Sequence, residues 1–250
     1  MELQLIRNAT MRLRYAGRLY LTDPLLGPKH SLPSFAGKSP NPLVDLPVAP
    51  EAVFARADLV LLSHLHRDHF DPVAQQILPK DLPILCQPGD EARLATYGFT
   101  QVTPLADTTR DGAVTITRVP GQHGSGKVLD DMGAVSGFVL QAPGEPTVYW
   151  AGDTIWCDAV ADTLAREQPR IIITHSAGAV WGDGGLIIMD AAQTIAVCRA
   201  APASIVVAIH LDAFDHATVS RADLRAYANA AGIPADRLRI PADGATLALA

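Results

Sequence analysis

Apolar and polar positions alternate in short runs along much of the chain, a pattern that predicts many strands and few helices. Strands are predicted over residues 2–7, 11–15, 18–22, 57–63, 82–86, 100–105, 113–119, 136–142, 147–151, 171–174 and 204–210, and in the closing segments RLRI and ATLALA. Helices are predicted over residues 70–78, 89–97, 190–200 and 220–231. Asp190 and Ser220 are the expected N-caps of the last two helices, and Gly232 is the expected stop. Two strand-rich halves, each followed by helices, favour sheets packed on each other with helices outside.

A long segment near the N-terminus interrupts this pattern. Between Pro24 and Pro50 the chain has seven prolines together with Gly27 and Gly37. Such a composition cannot sustain a helix or an inner strand, so a long loop is predicted. Long loops inside compact domains are more often functional than not, and this one is expected to lie over a site.

Composition narrows the class of protein. The chain has 250 residues, 48% hydrophobic and 18% charged, which favours one globular domain over residues 1–250. No apolar run reaches the roughly 18 residues of a membrane span. The first residues lack a secretory signal pattern, and the three cysteines are widely spaced, so a cytoplasmic location is expected. The net charge is −6 with no basic block, so we expect a small-molecule partner, with neither nucleic acid nor membrane. A homo-oligomer is as compatible with the sequence as a monomer.

The most informative stretch is SHLHRDHFDP, residues 63–72, which holds three of the eight histidines. In an extended segment, residues two apart point to the same side, so His64 and His66 can present their imidazoles to one ion. Asp68 and His69 follow where the chain turns into the predicted helix, and they could serve a second ion. Imidazole and carboxylate ligands without thiolate suit zinc, iron or manganese in a hydrolytic site with open coordination positions.

Three further candidate ligands each follow a predicted strand. His123 lies among Gly121, Gly124 and Gly126 in PGQHGSG, Asp153 lies in WAGDT, and His210 ends the run IVVAIH. A carboxylate at position 153 could bridge two ions. A single histidine after a strand is usually a loop residue, but three such residues behind a strict first motif favour a shared site.

In these motifs the sequence resembles the metallo-β-lactamase superfamily, whose HxHxDH motif is followed by a histidine, an aspartate and a final histidine. The resemblance runs in order from Asp23-Pro24 to His210 and includes all seven metal-ligand positions. Within the superfamily the LTDP, AGDT and VAIH segments are most similar to the branch of ascorbate phosphate lactonase and the phospholipase D that cleaves N-acyl phosphatidylethanolamine. Relatives often carry a histidine in the first turn, where this chain has Arg7-Asn8-Ala9-Thr10, so no role is carried over there.

The resemblance implies an α/β (α+β) fold, an αββα sandwich with two divalent metal ions, zinc first and manganese or iron as alternatives, at one edge. One ion would be held by His64, His66 and His123, and the other by Asp68, His69 and His210, with Asp153 bridging. The ions would supply hydroxide near neutral pH and polarise the bond under attack. Asp68 is also expected to orient that hydroxide.

Five further residues are considered for a role in the site or near it. His175, after the strand IIIT, is a candidate proton donor or anion-binding group, or a histidine satisfied by backbone at a strand end. His216, in HLDAFDH, is a candidate catalytic residue with Asp212 as its partner. His30 needs no role beyond a solvated loop. Trp156 and Trp181 are candidates for the pocket wall, Trp181 within the glycine-rich segment GAVWGDGG.

The predicted function is metal-dependent hydrolysis of an ester, lactone or phosphodiester bond in a small molecule, with a lactonase-like enzyme as first choice. The acidic charge argues against nucleases, and the lack of a membrane anchor argues against phospholipid substrates. A non-catalytic, metal-bound binding or sensing module of the same fold is one alternative. A di-iron redox protein is another, although that branch usually has glutamate where this chain has His66.

Overall fold

The computed structural model of the protein describes residues 1–182 and 185–249, and most of its strands form two seven-stranded mixed sheets. Numbered in chain order, the first sheet contains β1 (Glu2–Arg7), β2 (Thr10–Tyr15), β3 (Arg18–Thr22), β4 (Leu59–Leu61), β5 (Ile84–Cys86), β6 (Val102–Pro104) and β16 (Thr246–Ala248), in the order β16-β1-β2-β3-β4-β5-β6. The second contains β7 (Thr108–Asp111), β8 (Val114–Pro120), β9 (Ser136–Gln141), β10 (Val148–Trp150), β11 (Ile171–His175), β14 (Ile205–Ile209) and β15 (Leu238–Arg239), in the order β15-β14-β11-β10-β9-β8-β7. A small hairpin joins β12 (Val180–Trp181) to β13 (Gly185–Leu186).

A continuous hydrophobic core lies between the two sheets. Leu5 and Leu13 from the first sheet pack in one cluster with Ile116, Phe138 and Ile173 from the second. These side chains are essentially inaccessible to water. Because alternate residues of a strand point to opposite faces, the other face of each sheet must be covered by something else.

Helices cover those outer faces. Numbered in chain order, they are α1 (Pro50–Phe54), α2 (Pro72–Ile77), α3 (Glu91–Thr96), α4 (Val128–Met132), α5 (Asp158–Glu167), α6 (Ala191–Ala200) and α7 (Arg221–Ala230). Val53, Ala74 and Leu94, from α1, α2 and α3, share a cluster with the first sheet. Leu164, Ile195 and Leu224, from α5, α6 and α7, share one with the second sheet. The layers are therefore helix, sheet, sheet and helix, which confirms the predicted αββα sandwich.

The predicted elements differ from the structure in three helices and three short strands. Helices α1, α4 and α5 and strands β7, β12 and β13 are not predicted from the sequence. In α5 the buried residues are Val160, Thr163 and Leu164, which span little more than one turn and so give only a short periodic signal. The predicted helices appear slightly shortened, for example α2 at Pro72–Ile77 instead of 70–78. Ala250, in the predicted closing strand, and Asp183 and Gly184, in the glycine-rich segment, lie outside the described residues.

The strand directions determine where the site lies. Strands β3, β4 and β5 are parallel to one another, as are β10, β11 and β14. Their carboxyl ends therefore meet at one edge of the sandwich. The predicted proline-rich loop has no helix or strand between β3 and α1 apart from the single bridge Leu32–Asn41. Among the described residues, no helix has both the length and the apolar character needed to span a membrane.

Candidate metal centre and its cavity

The segment SHLHRDH forms the connection from β4 to α2. Its end is fixed by Asp71, the N-cap of α2, whose carboxylate accepts from the backbone N–H of Ala74 at 3.0 Å. The same carboxylate accepts from the N–H groups of Leu26 and Gly27 at 2.9 and 2.8 Å. One buried aspartate thus ends the histidine segment, begins the helix and holds the start of the proline-rich loop.

All seven predicted metal ligands come together at the edge of the sandwich. His64, His66 and His123 form one group, in which one ring nitrogen from each lies within 4.8 Å of the others. The Nε2 of His64 is 2.9 Å from Nδ1 of His66. His69, Asp153 and His210 belong to a second group by the same measure, together with His175.

Asp153 lies between the two groups. Its Oδ2 is 3.1 Å from Nε2 of His69 in the second group, and 3.4 and 3.9 Å from Nε2 of His123 and His64 in the first. A single carboxylate oxygen that faces both groups is the arrangement expected of a bridging ligand.

Asp68 lies on the side of the second group. Its Oδ2 is 3.5 Å from Nε2 of His69 and 3.4 Å from Nε2 of His210. The two imidazole nitrogens are themselves only 3.4 Å apart. Nitrogen lone pairs and carboxylate oxygens that converge in this way repel one another unless a cation or a proton lies between them.

The protonation states at the cluster suit a cation. Burial would raise the pKa of Asp153, but His69, His210 and His123 hold it well below its usual range, so the carboxylate is ionised. Burial lowers the pKa of His64, which leaves a neutral imidazole with a free lone pair. Burial would also lower the pKa of His69, yet the carboxylates Asp153, Asp68 and Asp23 raise it well above the usual value. Metal ligands need ionised carboxylates and neutral imidazoles, and a divalent ion would replace the proton on His69.

Asp23 supports the cluster from behind, a role that the sequence analysis did not assign. Its Oδ2 is 2.6 Å from Nδ1 of His69 and accepts from the Ser63 hydroxyl at 2.6 Å. That hydroxyl is in turn 2.9 Å from Nδ1 of His64. The pair orients the rings of both histidines, as outer-shell carboxylates do in metal sites. The sequence signal that could have identified Asp23 was its place in the LTDP turn, at the end of a predicted strand.

Unusual backbone conformations occur beside the ligands. His210 has φ of 63° and Asn8 has φ of 58°, in the left-handed region. The Asn8 side chain donates to the backbone oxygen of Asp68 at 3.0 Å and lies 3.2 Å from Nε2 of His210. Gly152, before Asp153, has φ of 66°, and a Cβ there would lie 2.5 Å from the Ser136 carbonyl oxygen. Only glycine fits at this position.

His175 lies behind Asp153 and does not line the cavity described below. Its Nδ1 is 2.5 Å from Oδ1 of Asp153, and its Nε2 accepts a hydrogen bond of 3.0 Å from the indole N–H of Trp150. Burial lowers the pKa of His175 to about 4, so the ring is neutral at pH 7. The structure thus brings His175 into the cluster but away from where a leaving group could reach it.

A cavity of about 240 Å³ opens over the cluster. Its polar floor includes His66, Asp68, His123, Asp153 and His210, and its walls are mainly apolar, formed by Phe35, Met132, Ala179, Trp181, Ile187 and Ile188. Phe35 belongs to the proline-rich loop, Met132 to α4 and Trp181 to β12. The proline-rich loop and Trp181, both singled out in the sequence, thus contribute to the wall, together with α4, which the sequence did not predict.

His216 also lines this cavity, next to Phe35, with their ring centroids 5.3 Å apart. Its predicted partner is wrong: Asp212 binds Arg221, with Oδ2 of the carboxylate 2.9 Å from Nη1. His30 is exposed and is not among the residues that line the cavity. Trp156 lines a separate surface groove beside α5 and α6, whereas Trp181 is part of the cavity wall.

The family of the chain follows from comparison with known proteins. Residues 18–211 match the family described as Beta-lactamase superfamily domain. The UPF0173 protein YddR of Bacillus subtilis (strain 168) is 34% identical over 250 residues, 98% of each chain. A UPF0173 metal-dependent hydrolase of Xanthobacter autotrophicus is 27% identical and covers 69% of this chain and 70% of its own.

A solved structure, that of an isothiocyanate hydrolase from Delia radicum gut bacteria, matches with a TM-score of 0.95 and 38% identity, covering 100% of this chain and 99% of its own. The combined match in motif order, fold and full-length similarity identifies the chain as a member of the metallo-β-lactamase superfamily and, within it, of the UPF0173 family, in which relatives are named metal-dependent hydrolases.

Proposed function

We propose that this protein is a metal-dependent hydrolase that adds water to an electrophilic carbon in a small, uncharged substrate with an apolar substituent. The observation that carries the proposal is the cavity, about 240 Å³ in volume, with the His/Asp cluster as its floor and apolar side chains as its walls. Ligand pockets of this kind use a few polar groups for orientation and apolar walls for affinity. A volume of this size is enough for a short chain or a single ring beside the cluster.

The cluster fits two divalent metal ions, and zinc is the metal we expect from the imidazole and carboxylate donors. His64, His66 and His123 would hold one ion, Asp68, His69 and His210 the other, and Asp153 would contact both. Ions held there would lower the pKa of water and polarise the electrophile. Asp68 lines the cavity as well as facing the second group, so its carboxylate can also orient the attacking water.

His216 is the group proposed to contact the leaving atom. Its Nδ1 is buried without a hydrogen-bond partner among the described residues, and burial lowers its pKa, so the ring is neutral. A buried N–H without a partner costs more than a buried lone pair, which favours the proton on Nε2. The ring lines the cavity, so Nε2–H can donate to a nitrogen, oxygen or sulfur of the substrate.

Isothiocyanates are the substrate class that we favour. The isothiocyanate hydrolase from Delia radicum gut bacteria is similar over the whole chain. Hydrolysis would add water to the central carbon of R–N=C=S, break the bond between that carbon and nitrogen, and release R–NH₂ and COS. Both hydrogens of the water end on the nitrogen, and His216 can pass one of them. The apolar wall would bind the substituent R.

Small carboxylic esters and lactones are the second candidate, because the same cluster and apolar wall suit an uncharged carbonyl compound. The similarity to the ascorbate phosphate lactonase branch stays a prediction. A phosphodiester is less favoured because its charge needs basic side chains. Among the described residues that line the cavity, Arg67 is the one lysine or arginine, and the acidic Asp131 lies there as well.

We further propose that the protein is cytoplasmic, in keeping with the unpaired Cys86, Cys157 and Cys198. It would act on a small molecule and bind neither nucleic acid nor membrane. It would be a monomer or a homo-oligomer.

The test is release of amine and COS from methyl, butyl and benzyl isothiocyanate by the zinc-loaded protein, beside a simple ester, a lactone and a phosphodiester. Turnover of isothiocyanates that a chelator abolishes and zinc restores supports the proposal, with Asp153→Ala as the inactive control. Turnover of the lactone alone would favour the second candidate. Bound metal without turnover of any substrate would favour a non-catalytic module, and an iron spectrum with redox activity would favour a di-iron protein.

A further inference from the structure

A buried chain of two hydrogen bonds runs from Trp150 through His175 to Asp153. The indole N–H of Trp150 donates to Nε2 of His175 at 3.0 Å, and Nδ1 of His175 is 2.5 Å from Oδ1 of Asp153. The three residues are 1%, 1% and 3% exposed, respectively, so water does not compete for these bonds. Trp150 opens the WAGDT segment that carries Asp153, whereas His175 lies outside the motifs that carry the metal ligands.

Trp150 determines which nitrogen of His175 carries the proton. The indole nitrogen is a donor and never an acceptor, so Nε2 of His175 must offer its lone pair. A neutral imidazole has one N–H, which is therefore on Nδ1 and points at Oδ1 of Asp153. The other tautomer would bring two N–H groups together at Trp150 and a lone pair against the carboxylate.

Distance alone would make His175 a metal ligand. One of its ring nitrogens lies within 4.8 Å of ligand atoms of His69, Asp153 and His210, and its ring stacks on that of His210 with centroids 4.9 Å apart. A nitrogen that carries a proton has no lone pair for a metal. The hydrogen bond from Trp150 thus removes His175 from the ligand set.

We propose that Trp150 and His175 are positioning residues for the bridging carboxylate: Trp150 holds His175 as the Nδ1–H tautomer, and His175 holds Oδ1 of Asp153 so that Oδ2 faces both histidine groups. The distances from Oδ2 to His69, His123 and His64 are 3.1, 3.4 and 3.9 Å. A carboxylate free to rotate would offer either oxygen to either group. This role replaces proton donation to a leaving group as the function of His175. It rests on the proposed function only in taking the bound ion to be a divalent metal such as zinc.

Two substitutions at position 175 separate positioning from ligation. His175→Asn keeps an N–H donor near the place of Nδ1 but lacks a ring nitrogen, and His175→Ala removes the donor. We expect the dissociation constant for zinc, measured by chelator competition, to rise about 10–100-fold in the alanine variant and less than about threefold in the asparagine variant. The visible spectrum of the cobalt-substituted protein should be the same in the asparagine variant as in the wild type, since no ligand is lost.

Trp150→Phe tests the tautomer directly. In the wild type, ¹⁵N spectra of histidine-labelled protein should show His175 with a protonated Nδ1 and an unprotonated Nε2. Without the indole donor the tautomers are expected to mix, and zinc affinity should fall by less than in His175→Ala. Trp156→Phe is the control for a Trp-to-Phe change, because Trp156 is only partly buried and lines the separate groove beside α5 and α6. Thermal unfolding of each variant checks the fold.

Several results would overturn the proposal. Wild-type zinc affinity in His175→Ala would show that the residue positions nothing. A changed cobalt spectrum in His175→Asn would make His175 a ligand, and a protonated Nε2 in the wild type would remove the role of Trp150. These measurements need no turnover, so a protein that binds zinc as expected but hydrolyses nothing would contradict the proposed function and leave this inference intact.

Discussion

Asp23 and His69 are joined by a contact of 2.6 Å between Oδ2 and Nδ1, which ties the end of β3 to the histidine segment after β4. Asp23 also accepts from the backbone N–H of Ser63 at 2.7 Å. Both carboxylate oxygens are therefore used to hold the segment that presents His64 and His69. The carboxylate is fully buried, so its loss could not be compensated by water.

We expect Asp23→Asn to raise the zinc dissociation constant about 10–100-fold, because the amide cannot accept at both positions and His69 loses its orientation. Chelator competition measures the constant. Asp162→Asn, on the exposed side of α5, is the control and should bind zinc as the wild type does. Equal affinity in Asp23→Asn would show that the contact is not needed for metal binding.

Metal content tests the ligand set. The wild type should contain about two transition-metal ions per chain by elemental analysis, as expected of a two-metal site. His66→Ala and Asp153→Ala should each contain less, with the larger loss for Asp153→Ala because its Oδ2 faces both groups. His30→Ala, in an exposed loop position, should match the wild type. A wild type that stays metal-free after incubation with zinc, manganese and iron would contradict the site.

Substitutions of His216 test its contact with substrate. His216→Ala should lower kcat about 10²–10⁴-fold if the ring assists proton transfer, with little change in zinc affinity. His216→Gln keeps an N–H donor on a side chain of similar reach and should retain part of the rate. If both variants lose zinc instead of rate, His216 acts on the metal site rather than on the substrate.

The size of the cavity is tested at Trp181, a half-buried residue of its wall. Trp181→Ala should enlarge the cavity and lower kcat/KM for methyl isothiocyanate relative to benzyl isothiocyanate, because the small substituent loses its apolar contacts. The ratio of the two kcat/KM values is the measurement, and zinc content should not change. An unchanged ratio would place the substrate elsewhere.

The pH dependence of stability is tested at Asp215, which anchors the proline-rich loop. Its carboxylate accepts from Ser34, from the backbone N–H of Phe35 at 3.0 Å and from the Asn41 side chain at 2.9 Å. Burial would raise the pKa of Asp215, but the hydrogen bonds from Ser34 and Asn41 hold it well below its usual range. The native state therefore favours the ionised carboxylate, and the loop that carries Phe35 depends on it.

A carboxyl group whose pKa is lower in the folded state stabilises the fold above the unfolded value, about 3.9, and this contribution is lost as the pH falls through the folded value. The wild type should be more stable than Asp215→Asn at pH 7, and the difference in unfolding free energy should begin to shrink below about pH 5 and continue to shrink as the pH falls below the unfolded value of about 3.9 toward the lower folded value. Denaturant titrations of both proteins measure this difference. A difference that does not change with pH would mean that the charge of Asp215 is unimportant.

The metal ligands could be predicted from the sequence because each belongs to a local pattern. The spacing of His64, His66 and His69 is set within one short connection, and His123, Asp153 and His210 each follow a run of apolar residues that predicts a strand. Parallel strands then bring such ends to a common edge, so local information was enough to expect the cluster.

Strand periodicity and residue type in the sequence thus predicted packed sheets with helices outside and a shared metal cluster, and the resemblance of its motifs to the metallo-β-lactamase superfamily implied the αββα order and the division of the ligands. Only the tertiary structure decided what surrounds them. The bond from Trp150 to His175 joins β10 to β11, and the contact of Phe35 with His216 joins two loops far apart in the chain. Neither pair has a local signal, because the geometry of a hydrogen bond or a cavity wall depends on how separate segments pack, and residue type and spacing do not specify that packing.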